Sequence, residues 1–158
     1  MRKINMMLII LCLFSVGCSK EEDAVKIGEW EESASIIREV IVTDDGQVED
    51  FVFHIGNNGK FGIGEYGPFI AGEAQKYMWH FWGEQELLTK PLKVIGLSKE
   101  TKEEVILFQS PGGYGLAPNT GADHSLSSLL TIPNAGLWKL LVYFDDELFG
   151  DMIVDVAE

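Results

Sequence analysis

Residues 136–156 read GLWKLLVYFDDELFGDMIVDV, and the period of this stretch decides the fold class. Side chains alternate between two faces along a strand. With Lys139 pointing away from the core, Trp138, Leu140, Val142 and Phe144 fall together on the opposite, core-facing side. In the second run Asp151 and Asp155 mark the wet face and leave Met152, Val154 and Val156 inside. Asp145, Asp146 and Glu147 join the two runs through a tight turn, so the stretch predicts an antiparallel hairpin. Three acids at such a tip are read as a solvated turn in preference to a cation site.

The same short apolar runs, punctuated by Gly, Asn, Asp and Pro, recur toward the N-terminus. Strands are expected at Lys76 to Trp82, Leu92 to Ser98, Val105 to Gln109 and Ser125 to Ile132. Further back, Ile36 to Thr43 and Val48 to Ile55 flank Asp44-Asp45-Gly46, the composition of a hairpin turn. Asn57-Asn58-Gly59 makes the next turn, and Phe61 to Tyr66, interrupted by Gly62 and Gly64, reads as a short or irregular strand. No repeat and no strand–helix rhythm is visible. Residues 36–158 are therefore expected to form an all-β sandwich or barrel, with residues 36–66 as an N-terminal hairpin extension.

Before this domain lie two segments of different character. Arg2 and Lys3, the apolar run Met6 to Phe14 and Ser15-Val16-Gly17 before Cys18 have the layout of a secretory signal, too short to span a bilayer. The small residues before Cys18 resemble the lipobox of bacterial lipoproteins, with Ser15 where that pattern most often has Leu. The resemblance implies a signal peptide over residues 1–17 and diacylglycerol on the thiol of Cys18, with two or three acyl chains sufficient for stable anchoring. An ordinary secretory signal with an incidental cysteine is the competing reading. Residues 18–35 are charged and poor in apolar groups, and are expected to be an acidic tether.

Cleavage before Cys18 would remove 17 of 158 residues and leave 141, enough for one domain and its tether. The formal charge of −13 becomes −15 when Arg2 and Lys3 leave with the signal. Such an acidic chain argues against nucleic acid and against adhesion to an anionic leaflet by charge alone. Cys12 departs with the signal and Cys18 would be acylated, so no disulfide, catalytic thiol or zinc thiolate is expected and the core alone must hold the fold.

Asn134-Ala135-Gly136-Leu137-Trp138-Lys139-Leu140 looks like the D-x-G-x-Y-x-C corner of immunoglobulin-type domains, with Asn134 in the Asp place, Trp138 in the Tyr place and Leu140 in the Cys place. The stretches FIAGEAQKYMWHFWG (Phe69 to Gly83), LAPNTGADHSLSSLLTIPNAGLWKL (Leu116 to Leu140) and LFGDMIVDV (Leu148 to Val156) resemble a family of bacterial, mostly Gram-positive, lipoproteins with an immunoglobulin-like domain of unknown function. The resemblance implies an immunoglobulin-like antiparallel β-sandwich without a disulfide, held on the outer face of the cell membrane. It carries no activity.

Candidate sites are few. KYMWHFWGE (Lys76 to Glu84) should place Tyr77, Trp79 and Phe81 in the core and Met78, His80 and Trp82 on the other face, where the hairpin Ile36 to Ile55 is a candidate cover. The long connection Ser110 to His124 offers Tyr114, Asn119, Thr120, Asp123 and His124 as polar contacts. His54, His80 and His124 lack the spacing of a zinc motif, and Gly112-Gly113-Tyr114-Gly115 lacks the Lys-Ser/Thr ending of a phosphate loop. No metal or cofactor is therefore expected. The favoured expectation is a lipid-anchored, extracytoplasmic binding module for an envelope protein or extracellular ligand. Its rivals are a metal-dependent or hydrolytic enzyme using Asp123 and His124 with a further carboxylate, and a structural envelope spacer.

Overall fold

A computed structural model of the chain describes residues 30–41, 46, 48–65 and 67–158. Among these the strands are β1 (Ser35–Ile41), β2 (Val48–Ile55), β3 (Phe61–Glu65), β4 (Phe69–Ile70) and β5 (Ala74–Phe81), followed by a single helical turn, α1 (Gln85–Leu88). The chain continues through β6 (Leu92–Ser98), β7 (Glu104–Ser110), β8 (His124–Thr131), β9 (Gly136–Phe144) and β10 (Glu147–Ala157). One sheet has the order β1-β2-β3-β5-β8 and the other β4-β10-β9-β6-β7, packed as a sandwich. Every strand expected from the sequence is present among the described residues; Val42, Thr43 and the Asp44-Asp45 part of the expected turn lie outside them. β4 and α1 were not expected, and β4 departs from the antiparallel rule by pairing parallel to the end of β10, Val156 opposite Phe69.

The hairpin of residues 136–156 forms as its period dictates. β9 and β10 pair antiparallel from Val156 opposite Gly136 to Glu147 opposite Phe144, with Asp145 in the left-handed region at φ 58°. Trp138, Leu140, Val142 and Phe144 are fully buried and lie beside Met152, Val154 and Val156 on the same inner face of the sheet. The indole N–H of Trp138 donates to the carbonyl of Asn134, 2.8 Å away, closing the corner before β9. The Asp145-Asp146 tip is exposed, and Lys93 reaches Asp146 at 3.7 Å, a screened surface pair of small consequence.

Lys139 points away from the core as expected, yet it is buried, 3% exposed, with its ammonium 5.3 Å from the centre of the Trp30 ring. Lys102 meets the same ring at 5.5 Å. An indole face attracts a cation, so the aliphatic stem can be covered while the charge keeps a partner. The same approach segment contributes Ser33, which lies within residues 18–35 yet is buried against the free edge of β10. Its N–H donates to the carbonyl of Ile153 at 2.8 Å, and its hydroxyl accepts from the Ile153 N–H at 2.7 Å and donates to Asn57 at 2.7 Å. This latch occupies a backbone edge that would otherwise be open to pairing.

The other sheet supplies the facing half of the core. Tyr77, Trp79 and Phe81 of β5 point inward as expected, at 4%, 0% and 0% exposure. Trp79, Phe61 and Phe81 form a triad of stacked rings, Trp79 lying 6.3 Å from Phe61 and 6.1 Å from Phe81 with those two 6.3 Å from each other, and Phe81 meets Phe144 of the opposite sheet edge-on at 5.2 Å. Such offset and edge-on pairs add to the burial of their large apolar surfaces. With the inward face of β5 committed to the core, its outward face carries Met78 and His80.

Candidate functional site

On the outer face of the first sheet, cross-strand registry lines up Ile36, Phe53, Gly64, Met78 and Ser127 across β1, β2, β3, β5 and β8. A neighbouring row runs Ile55, Gly62, His80 and Ser125. The glycines that made β3 look irregular in the sequence are regular outward positions of a strand paired on both sides. Having no side chains, they leave a trough between β2 and β5, and the Phe53 ring lies across it above Gly62. Phe53 thereby reaches His80, 5.4 Å between ring centres, and meets Trp82 edge-on at 6.4 Å.

The tip of the long connection from β7 to β8 closes the opposite side. Asn119 and Ala122 form an isolated bridge around Thr120 and Gly121, both at positive φ, which turns the chain back over β5. The carbonyl of Gly121 accepts the indole N–H of Trp82 at 2.8 Å, and the hydroxyl of Thr120 lies 3.3 Å from Nδ1 of His80. Ile36, Phe53, Gly64, Met78, Trp82 and Thr120 thus bound a cleft of about 590 Å³, with His80 and Asn119 at one end and Lys76 at the other. A mostly apolar concavity with a few polar groups is the usual form of a small-ligand site.

The residues singled out in the sequence divide between this cleft and structural duties. His80 is 6% exposed, so it lies in the floor and barely reaches solvent, whereas Trp82 is half-buried in the wall. The hairpin of β1 and β2 does not fold over them as a cover. It extends their sheet instead, and Phe53 is the side chain that reaches across. Asn119 lines the cleft, while Tyr114 is 66% exposed beside a smaller, separate cavity that includes His124 and Phe144. Ile36, Phe53, Lys76, Met78 and the two glycines were missed. The signal for the glycines was present: at i and i+2 on one strand they share a face, which a bulky neighbour can overlie.

Asp123 and His124 are not brought together. Asp123 is exposed and its carboxylate accepts the Gly83 N–H at 3.0 Å, whereas His124 is buried and its Nδ1 accepts the Ala117 N–H at 3.0 Å. Each fastens a different backbone segment to the end of β5 or β8. His54 is also engaged elsewhere, 2.9 Å from the Ser35 hydroxyl and against the Phe69 ring at 5.2 Å. Among the described residues no group of three or more His, Cys, Asp or Glu side chains could hold a metal. Cys18 lies outside the described residues.

Burial lowers the pKa of both His80 and His124, opposed at His80 by a backbone hydrogen bond to Asn119. A base with a lowered folded pKa favours the neutral fold, so the unfolded chain binds protons first as pH falls. Stability is therefore expected to be full above the ordinary histidine value of 6.5 and to decline as pH drops through it toward the lowered values. Urea unfolding at pH 7.5 and 5.5 measures the decline. His124→Asn keeps an acceptor for the Ala117 N–H but removes the titration, so its loss over the same interval should be smaller; equal losses would place the effect on other groups.

The family described as Domain of unknown function (DUF4871) matches residues 21–154 of this chain. No curated protein matches it. A crystal structure described as that of a "Putative Lipoprotein from Bacillus anthracis" is similar in fold, with a TM-score of 0.55 and 22% sequence identity over 82% of this chain and 87% of that one.

Proposed function

The chain belongs to the family of domains of unknown function DUF4871, and from that premise we propose that it is a lipid-anchored, extracytoplasmic binding module whose contact surface is the cleft over β5. The observation that carries this reading is convergence. Ile36 and Phe53 from the N-terminal hairpin, Met78 from β5 and Trp82 just after it, and Thr120 from a crossover loop build one open apolar concavity that core packing does not require. The opposite sheet has Trp30 laid against Lys139 and Ser33 on its edge, whereas here Ile36 stays 52% exposed at the mouth.

The lipobox-like sequence ending at Cys18 supports lipidation there, and the description of the Bacillus anthracis protein agrees with that reading. The Trp138 to Asn134 hydrogen bond, which takes the place of the tyrosine corner, supports an immunoglobulin-like sandwich. The Asp123–His124 enzyme loses its geometric basis, since the two side chains hold separate backbone groups.

The test is a photo-crosslinking residue placed at Ile36, or at Ile106 on the other sheet as a control of similar exposure, 57% against 52%. In intact cells a discrete adduct is expected from position 36 and not from position 106. Adducts from position 106 alone, or from neither, would overturn the binding reading. Cys18→Ser in the same cells is expected to abolish acyl labelling and to prevent recovery of the mature protein with the membranes.

A further inference from the structure

We infer that the cleft takes a long-chain carboxylate, a single apolar chain with an anionic head, drawn from the membrane to which the protein is tethered. The inference rests on the cleft being a binding site, and it follows from the shape, charge and hydrogen bonding of that site.

The cleft is elongated along β5. Lys76 and Trp82 both line it, and their six-residue separation corresponds to about 20 Å of strand. Between them Met78, Phe53 and Ile36 offer only apolar surface above the glycine floor. Lys76 is exposed and is the one charged side chain among the described residues that line the cleft, in a chain with 25 acids against 12 Lys and Arg. A cation at one end of an apolar trough, on an acidic protein, complements a ligand charged negatively at one end.

Other ligand classes fit poorly. A peptide lying in the trough would need partners for its own N–H and C=O groups, but those of the floor are used in the ladders: β3 is paired to β2 and β5, and β5 to β3 and β8. A carbohydrate needs several hydrogen bonds. Near Trp82, Nδ1 of His80 is already engaged with Ser125 at 3.1 Å and Thr120 at 3.3 Å, and the Trp82 indole with Gly121, which leaves few groups to supply them. A hydrocarbon chain makes no such demands.

The tether supplies the source. Eleven residues separate Cys18 from Trp30, where the chain meets the folded domain, so even a fully extended tether holds the domain within roughly 40 Å of an acylated Cys18. Amphiphiles leaving the bilayer are within reach of a cleft so placed.

The test is calorimetric titration of the chain expressed from residue 18 with Cys18→Ser, so that no acyl group of its own can occupy the cleft. The probes are octanoate, decanoate, dodecanoate and 1-dodecanol, each below its aggregation limit. One carboxylate should bind per protein, with affinity rising about fourfold for each added methylene. Dodecanol should bind roughly three- to fivefold more weakly than dodecanoate. Lys76→Gln, an exposed change, should erase that difference while keeping the chain-length dependence. Met78→Glu in the floor and Ile36→Glu at the exposed mouth should each weaken binding of the chain.

Absence of saturable dodecanoate binding, a carboxylate preference that survives Lys76→Gln, or affinity indifferent to both glutamate variants would overturn the inference. If the titration fails while a crosslink at position 36 still yields its adduct, the long-chain carboxylate is wrong and the binding surface stands. If position 36 yields none, the reading beneath the inference falls.

Discussion

Trp79→Ala is expected to destabilise the domain by about 3–5 kcal/mol, against less than about 0.5 kcal/mol for Leu129→Ala on the neighbouring strand. The two residues belong to the same sheet and differ in the face they occupy: Trp79 is 0% exposed, Leu129 62%. Removing the indole empties the space beside Phe61 and Phe81 and strips each ring of one of its stacking partners. It also leaves the buried Ser128 hydroxyl without the N–H that now lies 2.7 Å away. Trp79→Phe separates these terms, because it keeps much of the ring stack and loses the donor. Its cost should fall near the 1–3 kcal/mol of an unsatisfied buried polar group. Urea denaturation of the three variants measures all of this, and a cost below about 1 kcal/mol for Trp79→Ala would mean that the inward face of β5 does not organise the core.

That the sequence anticipates the Trp79 result, yet not the cleft, has a physical reason. Alternation along β5, β9 and β10 is a local property, so the core residues of KYMWHFWGE and of the 136–156 hairpin can be read from their immediate neighbours. β4 is two residues long and is stabilised by a parallel partner at the chain's far end, which leaves no local pattern to read. Lys139 obeys the period of its strand and still does not reach solvent. Its cover comes from Trp30, more than a hundred residues earlier, and nothing local to β9 announces it. The cleft fails to show for the same reason on a larger scale. His80, Trp82 and Asn119 could each be picked out singly, but their common site depends on β2, β3 and β5 lying side by side and on a loop from the other sheet turning back over them.

Gly62→Ala probes that side-by-side arrangement directly. A Cβ at position 62 would clash with the edge of the Phe53 ring and lie 2.9 Å from the His54 carbonyl. The carbonyl belongs to a paired strand and has little freedom, whereas the ring is half-buried and can swing toward solvent. The substitution should therefore cost about 1–3 kcal/mol, the range for overpacking. Most of that cost should come from expelling Phe53 and losing its contacts with His80 and Trp82, not from the backbone. A double-mutant cycle decides the point. In a Phe53→Ala background the ring is already gone, so adding Gly62→Ala should cost at least 1 kcal/mol less than it does in the native protein, a coupling in the range expected of residues in contact. Additive losses would locate the clash at the His54 carbonyl instead, and the glycine would then serve strand pairing and not the trough. If the coupling appears, the absent side chain at position 62 is what lets Phe53 lie between β2 and β5, and the wall of the cleft is as much a consequence of that glycine as of the aromatic ring itself.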